Sequence, residues 1–477
     1  MPTSRLEIDL SAIDRNLGVI RKVVTPPGSK SPEAGRRPSQ VGVCAVVKQD
    51  GYGLGAVRIA KRLAASGVDM LSVYSLDEAR AIAEAIPQTP ILVLMPVHGV
   101  DRMDPLYRHA SGGRLHLTLH NADQFNAVAE MAGRIGAPMP VHVQIDTGLS
   151  RGGVLPEDAE VLVDKVLSSP RVKLAGLMTH FASPCCDERY TREQARSFRD
   201  FVEAVKPAIR AFFAAQPRNA PQGDVILHAA NSCATFRSRS LHGAMVRVGQ
   251  ALLGFTIDDA EDVSGFEFGA EAASLEPCVR WTSSVVHLAE IPPGWPVGYG
   301  STWRAPQRAD GKRTRIALIP VGYADGYPRS LSGKHAVVGF TGRPWEKRGA
   351  GAADVEDALH RADTPALPTV YAPVIGRVSM DQITVDVTDI PEQYLKPGRS
   401  GSEVTGAEVE LYSANRAAPN FLPRVAVKAE TITHEMLTRS GPRVERAYRY
   451  PAQQGAEAVV RTATTVGGAT GINAAAR

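Results

Sequence analysis

Lys48 lies between an apolar run and a glycine-rich run of the 477-residue chain, a position at which its side-chain amine can become reactive. Residues 41–47 read VGVCAVV, which is typical of a buried strand. Gly51, Gly53 and Gly55 follow and predict a turn whose backbone can approach a ligand closely. A lysine at the mouth of such a strand can be partly desolvated, which lowers its pKa and provides the nucleophilic amine that a Schiff base requires. The local pattern alone favours a lysine that simply ends a strand in water, because short motifs recur by chance.

The composition is that of a soluble globular protein and gives no argument for a nucleic-acid or membrane partner. Hydrophobic residues make up 44% and charged residues 22%, and 54 basic against 50 acidic residues give a net charge of +4 without a long basic block. No apolar stretch approaches the roughly 20 residues of a membrane helix. The first ten residues contain no hydrophobic signal region. We therefore expect a cytoplasmic protein.

The cysteines and histidines indicate neither a disulfide framework nor a metal site. Five cysteines are an odd number for a disulfide framework, and the adjacent Cys185 and Cys186 are expected to be free thiols rather than a redox pair. The 12 histidines form no recognised metal motif. His116 and His120 are four residues apart, but the run around them alternates like a strand and offers no acidic partner. We expect no metal ion, and we interpret both histidines as structural.

The first half of the chain alternates between strand patterns and helix patterns. About eight such units in about 250 residues predict a closed (β/α)8 barrel of the TIM type. An open doubly wound sheet is the alternative, and the absence of a Gly-x-Gly-x-x-Gly run after the first strand weakens it. After a short strand and helix over residues 8–24, the predicted strands are 41–47, 70–74, 91–95, 115–119, 141–145, 172–178, 225–229 and 245–248, with helices at 56–66, 76–85, 121–132, 156–168 and 191–215.

The texture of the sequence changes at about residue 256. Helical periodicity fades, and short apolar strands alternate with glycine and proline turns, which predicts a mostly-β domain. Glycine-, proline- or alanine-rich stretches interrupt both halves and are expected to be insertions. We predict a barrel domain over residues 1–255 with an insertion at about 25–40, a β domain over 256–450 with an insertion at about 343–369, and a disordered tail over 451–477.

Eight short motifs occur in a fixed order along both halves of the chain. Together they resemble the alanine racemases, which depend on pyridoxal 5′-phosphate (PLP), and the resemblance spans about residues 5–446 apart from the insertions. Each motif is weak alone, but the ordered set is specific. The motifs are VVKQDGYG at 46–53, DTGLSR at 146–151, THFA at 179–182, NS at 231–232, VRVG at 246–249, VGYGST at 297–302, VGYADGY at 321–327 and GRVSMDQ at 376–382.

The resemblance implies a role for each matching residue. Lys48 would bind PLP covalently and act as one catalytic base, and Tyr299 would be the second base, contributed by the partner in a head-to-tail homodimer. Substrate contacts are implied for Arg151, Tyr299 and the main chain of Met380, while Tyr323, Arg329 and Asp381 match positions near the substrate entrance and carboxylate. The implied cofactor-binding residues are Lys48, Tyr52, Arg151, His180, Asn231, Ser232, Arg247, Gly249 and Gln250.

Arg247 and Tyr299 carry the implied chemistry. The resemblance places Arg247 against the pyridine nitrogen of PLP, and a guanidinium cannot readily give up a proton. The nitrogen then stays largely unprotonated, which weakens the electron sink and suits racemisation rather than reactions that need a longer-lived carbanion. Two bases on opposite faces, Lys48 and Tyr299, would remove a proton from Cα and return one to the other side.

The chain departs from the family pattern at several positions. Gln144 stands where many members have a lysine that is sometimes carbamylated, and we expect Gln144 to hydrogen-bond Arg151 directly. The usual Leu-Tyr-Gly after the arginine strand reads LLG at 252–254, and Ser379 replaces a common cysteine. The segment 440–446 lacks a tyrosine that many members have there. Loss of that phenol would loosen the site, so we expect alanine as main substrate and serine as a possible second.

Three other functions compete with an alanine racemase that supplies D-alanine for peptidoglycan. A racemase of the same fold with broader specificity is the first. A non-catalytic PLP-binding protein is the second, but such proteins resemble the barrel alone, and the segment around Tyr299 argues against it. A PLP-dependent decarboxylase of basic amino acids is the third, but those enzymes usually present an acidic residue where this chain has Arg247.

Overall fold

The structure is a computed structural model, and it describes residues 4–25, 41–97, 99–216, 225–256, 263–344, 367–395, 406–450 and 459–462. The chain forms two compact units, one of residues 10–278 and the other of residues 1–9 with 279–477. Most residues of the two expected insertions (25–40 and 343–369) and of the expected tail (451–477) lie outside the described residues. Within the described ranges, no helix combines the length and apolarity needed to cross a membrane.

Strand β1 (Ser4–Asp9) belongs to the second unit although it begins the chain. It pairs antiparallel with residues 279–283 and parallel with residues 445–449. The barrel domain was expected to begin at residue 1, whereas the barrel unit begins at residue 10. The reason is the burial of alternate residues of β1: Leu6 and Ile8 pack into a sheet whose other strands follow residue 278. Helix α1 (Leu10–Val24) then begins the first unit.

The first unit is a barrel of eight parallel strands, which confirms the predicted fold class. Neighbouring strands follow the order β8, β7, β6, β5, β4, β3, β2, β9. Backbone hydrogen bonds from Ala244 N to Leu227 O (2.7 Å) and from Arg247 N to Ala230 O (2.8 Å) connect the two ends of this order, so the barrel is nearly closed. The strands are β2 (Gly42–Val46), β3 (Met70–Val73), β4 (Ile91–Val93), β5 (Leu115–Leu119), β6 (Met139–Gln144), β7 (Val172–Met178), β8 (Ile226–His228) and β9 (Met245–Val248).

Helices connect these strands, and side chains cap several of them. Ser75 accepts a hydrogen bond from Glu78 N, and Asn121 accepts one from Gln124 N, as expected of helix N-caps. The long helix begins three residues before the expected Thr191, because Asp187 caps it. The helices are α2 (Ala56–Ala65), α3 (Leu76–Ala83), α4 (Tyr107–Ser111), α5 (Ala122–Ile135), α6 (Pro156–Leu167), α7 (Glu188–Ala215), α8 (Ser232–Arg237) and α9 (Gly269–Ala273).

The second unit is mostly β, as predicted. In its described part, one sheet runs in the order β11, β14, β17, β16, β15, β18, β10, β1, β19, β20, and β12 pairs with β13. The strands are β10 (Val279–Ser284), β11 (His287–Ile291), β12 (Pro296–Val297), β13 (Trp303–Arg304), β14 (Thr314–Ile319), β15 (Val337–Pro344), β16 (Val370–Ile375), β17 (Ile383–Asp386), β18 (Ala407–Tyr412), β19 (Glu445–Arg449) and β20 (Val459–Thr462). The helices of its described part include α10 (Glu392–Leu395), α11 (Leu422–Lys428) and α12 (Thr433–Thr438).

Candidate active site

Lys48 follows β2 at the carboxyl end of the barrel strands and opens a left-handed turn. Residues 49–53 have φ angles of 53°, 50°, 64°, 60° and 80°. A left-handed conformation costs a non-glycine residue roughly 1–2 kcal/mol, so the neighbouring structure must hold this turn in place. Gly53 N donates to Gln49 O (2.7 Å), and Ala56 N donates to the carboxylate of Asp50 (2.8 Å). Strained backbone of this kind is concentrated at functional sites.

The environment of Lys48 favours the neutral amine. Burial lowers the pKa of Lys48, and the charge of Arg151 lowers it further, while Glu78 acts in the opposite direction. A neutral amine has the lone pair that a nucleophile or a base requires. The structure therefore gives Lys48 the property that the sequence predicted for it.

Arg247 lies buried on β9 and is held from several sides. Its guanidinium donates to the carbonyls of His228 (2.8 Å) and Thr179 (2.7 Å) and contacts ring nitrogens of His228 (3.0 Å) and His180 (3.1 Å). Burial lowers the pKa of Arg247 to about 10, so its charge persists at neutral pH. Burial first, and then the charges of Arg247, Arg151 and Lys48, lower the pKa of His180 to about 3. His180 is therefore a neutral ring beside two arginines and Lys48.

Backbone amides and hydroxyls of three segments converge near Gly249. The Ser232 hydroxyl accepts hydrogen bonds from the N–H groups of Gly249 and Ala251, both at 3.2 Å. A Cβ added to Gly249 would lie 2.0 Å from the Tyr52 hydroxyl, so only glycine leaves room for that phenol. Asn231 accepts from Ala234 N (3.0 Å) and fixes the start of α8. The hydroxyls of Tyr52 and Ser232 and the N–H groups of Gly249 and Ala251 therefore lie together, and groups of these types can bind a phosphate.

Arg151 lies at the end of a loop that is ordered by its own side chains. One carboxylate oxygen of Asp146 accepts from the N–H groups of residues 148, 149 and 150 at 2.9–3.1 Å. Gln144 was expected to bond Arg151 directly, but its side-chain amide donates to the carbonyl of Gly152 (2.7 Å). Gln144 therefore braces the backbone beside Arg151 rather than its guanidinium.

Tyr299 lies in the second unit, on a turn that leaves it exposed to solvent. Gly298 and Gly300 flank it with φ angles of 70° and 74°. Tyr299 is 73% exposed, whereas tyrosines are on average intermediate in burial. Met380, also in this unit, is 53% exposed.

Arg443 and backbone hydrogen bonds hold the segment that contains Met380. Ala324 N donates to the Met380 carbonyl (3.0 Å), so the loop at 322–327 supports the loop at 376–382. Arg443 donates to the buried carboxylate of Asp325 (2.9 and 3.1 Å) and to Asp381 (2.7 Å). One guanidinium thus links both loops. Tyr323 and Arg329 follow in the first loop and just after it, and both are exposed.

The structure brings together Lys48, Arg151, His180 and Arg247 in the barrel unit, where the other three residues all lower the pKa of His180. Tyr299 and Met380 lie in the other unit. Sequence reasoning missed His228, although an arginine expected to be buried requires acceptors and a histidine in the adjoining short strand was a candidate. It also missed Arg443, because nothing in the spacing relates it to Asp325 or Asp381.

Family models match nearly the whole chain. The N-terminal domain model of alanine racemase matches residues 8–256, and the C-terminal domain model matches residues 278–351 and 357–448. An alanine racemase of Sorangium cellulosum is 31% identical over 464 residues, covering 94% of this chain and 100% of that protein. One of Halothermothrix orenii is 30% identical over 447 residues, covering 93% and 96%.

Solved structures show the same fold. The alanine racemase from the D-cycloserine producer Streptomyces lavendulae superimposes with a TM-score of 0.70 at 25% identity, covering 95% of this chain and 99% of that one. The alanine racemase from Bartonella henselae with covalently bound pyridoxal phosphate has a TM-score of 0.66 at 23% identity, covering 94% and 100%.

Proposed function

The chain belongs to the alanine racemase family, a family of isomerases, and we propose that it interconverts L-alanine and D-alanine with PLP as its cofactor. The reaction would supply D-alanine for peptidoglycan in the cytoplasm. The observation that carries the proposal is the pairing of Lys48, whose pKa is lowered by burial, with a buried Arg247 in the same barrel.

The residues of the barrel fit PLP in charge and in hydrogen-bonding groups. Tyr52, Ser232, Asn231 and the backbone at 249–250 would hold its phosphate, Arg247 would face its ring nitrogen, His180 would lie against the ring, and Arg151 would bond the ring oxygen. The space that only a glycine leaves beside the Tyr52 hydroxyl supports this assignment. When bound, PLP supplies an electron sink that makes the α-proton of an amino acid acidic.

Two bases would then move protons at opposite faces of Cα. Nζ of Lys48 takes or returns a proton on one face, and Oη of the partner subunit's Tyr299 does so on the other. The exposure of Tyr299 in the single chain supports its use by a second copy, because a homodimer would cover it. Arg151 and the main chain of Met380 would orient the substrate carboxylate.

A racemase of broader specificity is the second candidate. The segments 252–254 and 440–446 lack tyrosines that many family members have there, which would leave space for a side chain larger than methyl. Serine is the amino acid closest to alanine in size and would be the second substrate. The match of residues 278–448 to the racemase C-terminal domain disfavours a PLP carrier that has the barrel alone.

The test is racemisation in deuterated water. Purified protein with PLP is incubated with L-alanine, and D-alanine and its deuterium at Cα are followed by chiral chromatography and mass spectrometry. We expect labelled D-alanine, lost in Lys48→Ala and Tyr299→Phe. A panel in which serine or a basic amino acid is turned over faster than alanine would overturn alanine as the main substrate, and no turnover of any amino acid would overturn the racemase.

A further inference from the structure

The carboxylate of Glu78 joins the ends of two neighbouring barrel strands next to Lys48. Its Oε1 accepts a hydrogen bond from the N–H group of Gln49 (2.9 Å), the residue after Lys48, and its Oε2 accepts one from the N–H group of Tyr74 (2.7 Å). Gln49 comes shortly after β2 and Tyr74 directly after β3, and these two strands pair in parallel. The function proposed above gives Glu78 no role.

The local sequence would ordinarily direct this carboxylate elsewhere. Ser75 and Glu78 have the spacing of a capping box, in which the serine hydroxyl accepts from the N–H group of the glutamate and the glutamate accepts from the N–H group of the cap. The first bond is present, because Glu78 N donates to Oγ of Ser75 (3.2 Å). The two carboxylate oxygens accept from Tyr74, one residue before the cap, and from Gln49 of another segment. Helix α3 therefore begins in a way that places a carboxylate against the turn of Lys48.

The turn that Glu78 contacts is unfavourable in isolation. Gln49 and Asp50 have φ angles of 53° and 50°, in the left-handed region that non-glycine residues rarely adopt. Three glycines of this segment donate to carbonyls within residues 47–50 at 2.7–2.9 Å, so their hydrogen bonds stay inside it. The bond from Gln49 to Glu78 instead runs out of the turn to a neighbouring helix. Glu78 therefore fixes the point at which the chain leaves β2 for the left-handed turn, which is the position of Lys48.

Glu78 also acts on Lys48 through its charge. Burial and the charge of Arg151 lower the pKa of Lys48, whereas the charge of Glu78 raises it. A lysine that both takes and returns a proton works best with a pKa near the working pH, so a charge that limits the fall is useful. Arg151 and Glu78 thus bring opposite charges to this amine from outside its turn. The titratable residues in the segments around Lys48 include Arg151, Glu78 and the neutral His180, with Asp50 and Tyr52 in the turn itself.

We propose that Glu78 is a positioning residue for Lys48: its two hydrogen bonds, the Glu78 clamp, fix the start of the left-handed turn to the end of β3, and its charge balances that of Arg151. The consequence for catalysis rests on the proposed function, in which Lys48 is a base at Cα. A turn fixed at Gln49 holds the lysine backbone in one orientation, so Nζ returns to the same place after each proton transfer. The opposed charges of Arg151 and Glu78 keep the amine able to accept a proton as well as to give one up.

The Glu78 clamp is measured in the full-length apoprotein and needs no activity. Amide hydrogen exchange, resolved at single residues by mass spectrometry, reports the hydrogen bonds of Gln49 and Tyr74. Glu78→Ala removes both acceptors, and we expect it to speed exchange at these two amides about 3- to 10-fold, as for the loss of one hydrogen bond each. The amide of Leu71 in β3, which donates to the Pro90 carbonyl (2.9 Å), is the internal reference. Unchanged exchange at Gln49 in this variant would overturn the proposal.

Two further substitutions separate the charge of Glu78 from its hydrogen bonds. Glu78→Gln keeps the length of the side chain and removes its charge, whereas Glu78→Asp keeps the charge but is too short to reach both N–H groups. Acetic anhydride labels only the neutral form of an amine, so labelling of Lys48 against pH, followed by mass spectrometry, gives the pKa of its amine.

We expect Glu78→Gln to lower the pKa of Lys48 and to move the labelling midpoint to lower pH, and Glu78→Asp to leave the midpoint nearer the wild-type value. Structural loosening alone would expose the amine and raise its pKa, so the direction of the shift distinguishes lost charge from lost structure. A midpoint that stays in place or rises in Glu78→Gln would overturn the proposal.

The matched control is Glu84→Gln, which removes an exposed glutamate at the C-terminal end of the same helix. It should change neither the exchange at Gln49 nor the midpoint of Lys48, and thermal unfolding identifies any variant that fails to fold. If Glu78→Ala or Glu78→Gln does not fold, exchange in Glu78→Asp decides, and wild-type rates at both Gln49 and Tyr74 would overturn the proposal. If the exchange and the midpoints are as expected but no amino acid is racemised, the Glu78 clamp stands and the proposed racemase falls. Racemisation of alanine with an unmoved midpoint in Glu78→Gln leaves the racemase and overturns the proposal for Glu78.

Discussion

Arg151 acts on the amine of Lys48 through its charge. Burial is the larger cause of the lowered Lys48 pKa, and Arg151 is the next. Only the neutral amine captures an aldehyde, so a lowered pKa makes capture of PLP efficient at lower pH. We predict that Arg151→Met raises the pKa of Lys48 and moves the midpoint of the pH dependence of PLP capture to higher pH. Stopped-flow absorbance of the apoprotein with PLP measures this, and an unmoved midpoint would contradict it.

Gln144 supports the loop of Arg151 through one hydrogen bond to the Gly152 carbonyl. A net hydrogen bond contributes about 0.5–1.5 kcal/mol, so we predict that Gln144→Ala weakens PLP binding about 3- to 10-fold. Equilibrium titration of the apoprotein with PLP gives the change. The matched control, Gln216→Ala, removes an exposed glutamine at the end of α7 and should leave the affinity as it is.

Lys48 was singled out because it ends an apolar run, and Arg247 because it lies in a motif that resembles the alanine racemases. Their partners were not predictable. Three histidines that meet in the barrel, His116, His142 and His228, come from β5, β6 and β8, and their contact depends on Gly176 in a strand between two of them. A single sequence contains the residue types but not the order in which strands neighbour one another.

At the scale of elements, Arg443 joins two loops of the second unit. It donates to Asp325, which is buried, and to Asp381, which is exposed. We predict that Arg443→Met lets the loop with Met380 move, raising KM for alanine severalfold with a smaller effect on kcat, since Met380 is proposed to contact the substrate carboxylate. Steady-state kinetics of the variant give KM and kcat. The milder Asp381→Asn, which leaves the bond of Arg443 to Asp325 in place, should change KM less. A fall in kcat alone would argue against this role.

Strand β1 is fixed in its sheet by an ion pair. Burial would raise the pKa of Glu7, but the charge and hydrogen bonds of Arg280 outweigh it and hold the pKa at about 2, against an ordinary value of 4.5. Glu7 is thus stabilising above about pH 4.5, and this contribution is lost as the pH falls toward 2. We predict that Glu7→Gln lowers the unfolding temperature at pH 7 and that the difference shrinks below pH 4. The exposed Glu290→Gln should show no such pattern in thermal scans.

The elements of the barrel were more predictable than those of the second unit. Apolar runs such as residues 115–119 and 172–178 match their strands residue for residue. Strand β18 was not predicted, because its alternating Glu408 and Glu410 are typical of a solvated face. Both are buried, with Arg280 of the adjacent β10 near Glu408 (3.6 Å), and that neighbour cannot be read from the local sequence.

At the scale of the whole molecule, the proposed shared site makes a testable statement about subunits. If each site takes Lys48 from one subunit and the partner subunit's Tyr299, a mixed dimer of Lys48→Ala and Tyr299→Phe chains has one intact site. Random exchange makes half of the dimers mixed, so we predict about a quarter of wild-type activity from an equal mixture of inactive variants. Activity is measured after refolding the two together. No recovery would mean that both bases come from one chain.

Because the sheet neighbours of β1 are synthesised much later than β1 itself, the order of synthesis limits when the second unit can be completed. The ribosome produces residues 4–9 before the barrel, while their neighbours at 279–283 and 445–449 emerge hundreds of residues later. Domains generally fold as units as they emerge. The barrel can therefore fold before all of the sheet neighbours of β1 have been synthesised. Strand β1 can therefore complete its pairing only after residues 445–449 have been made, which makes this pairing a late step in the folding of the second unit.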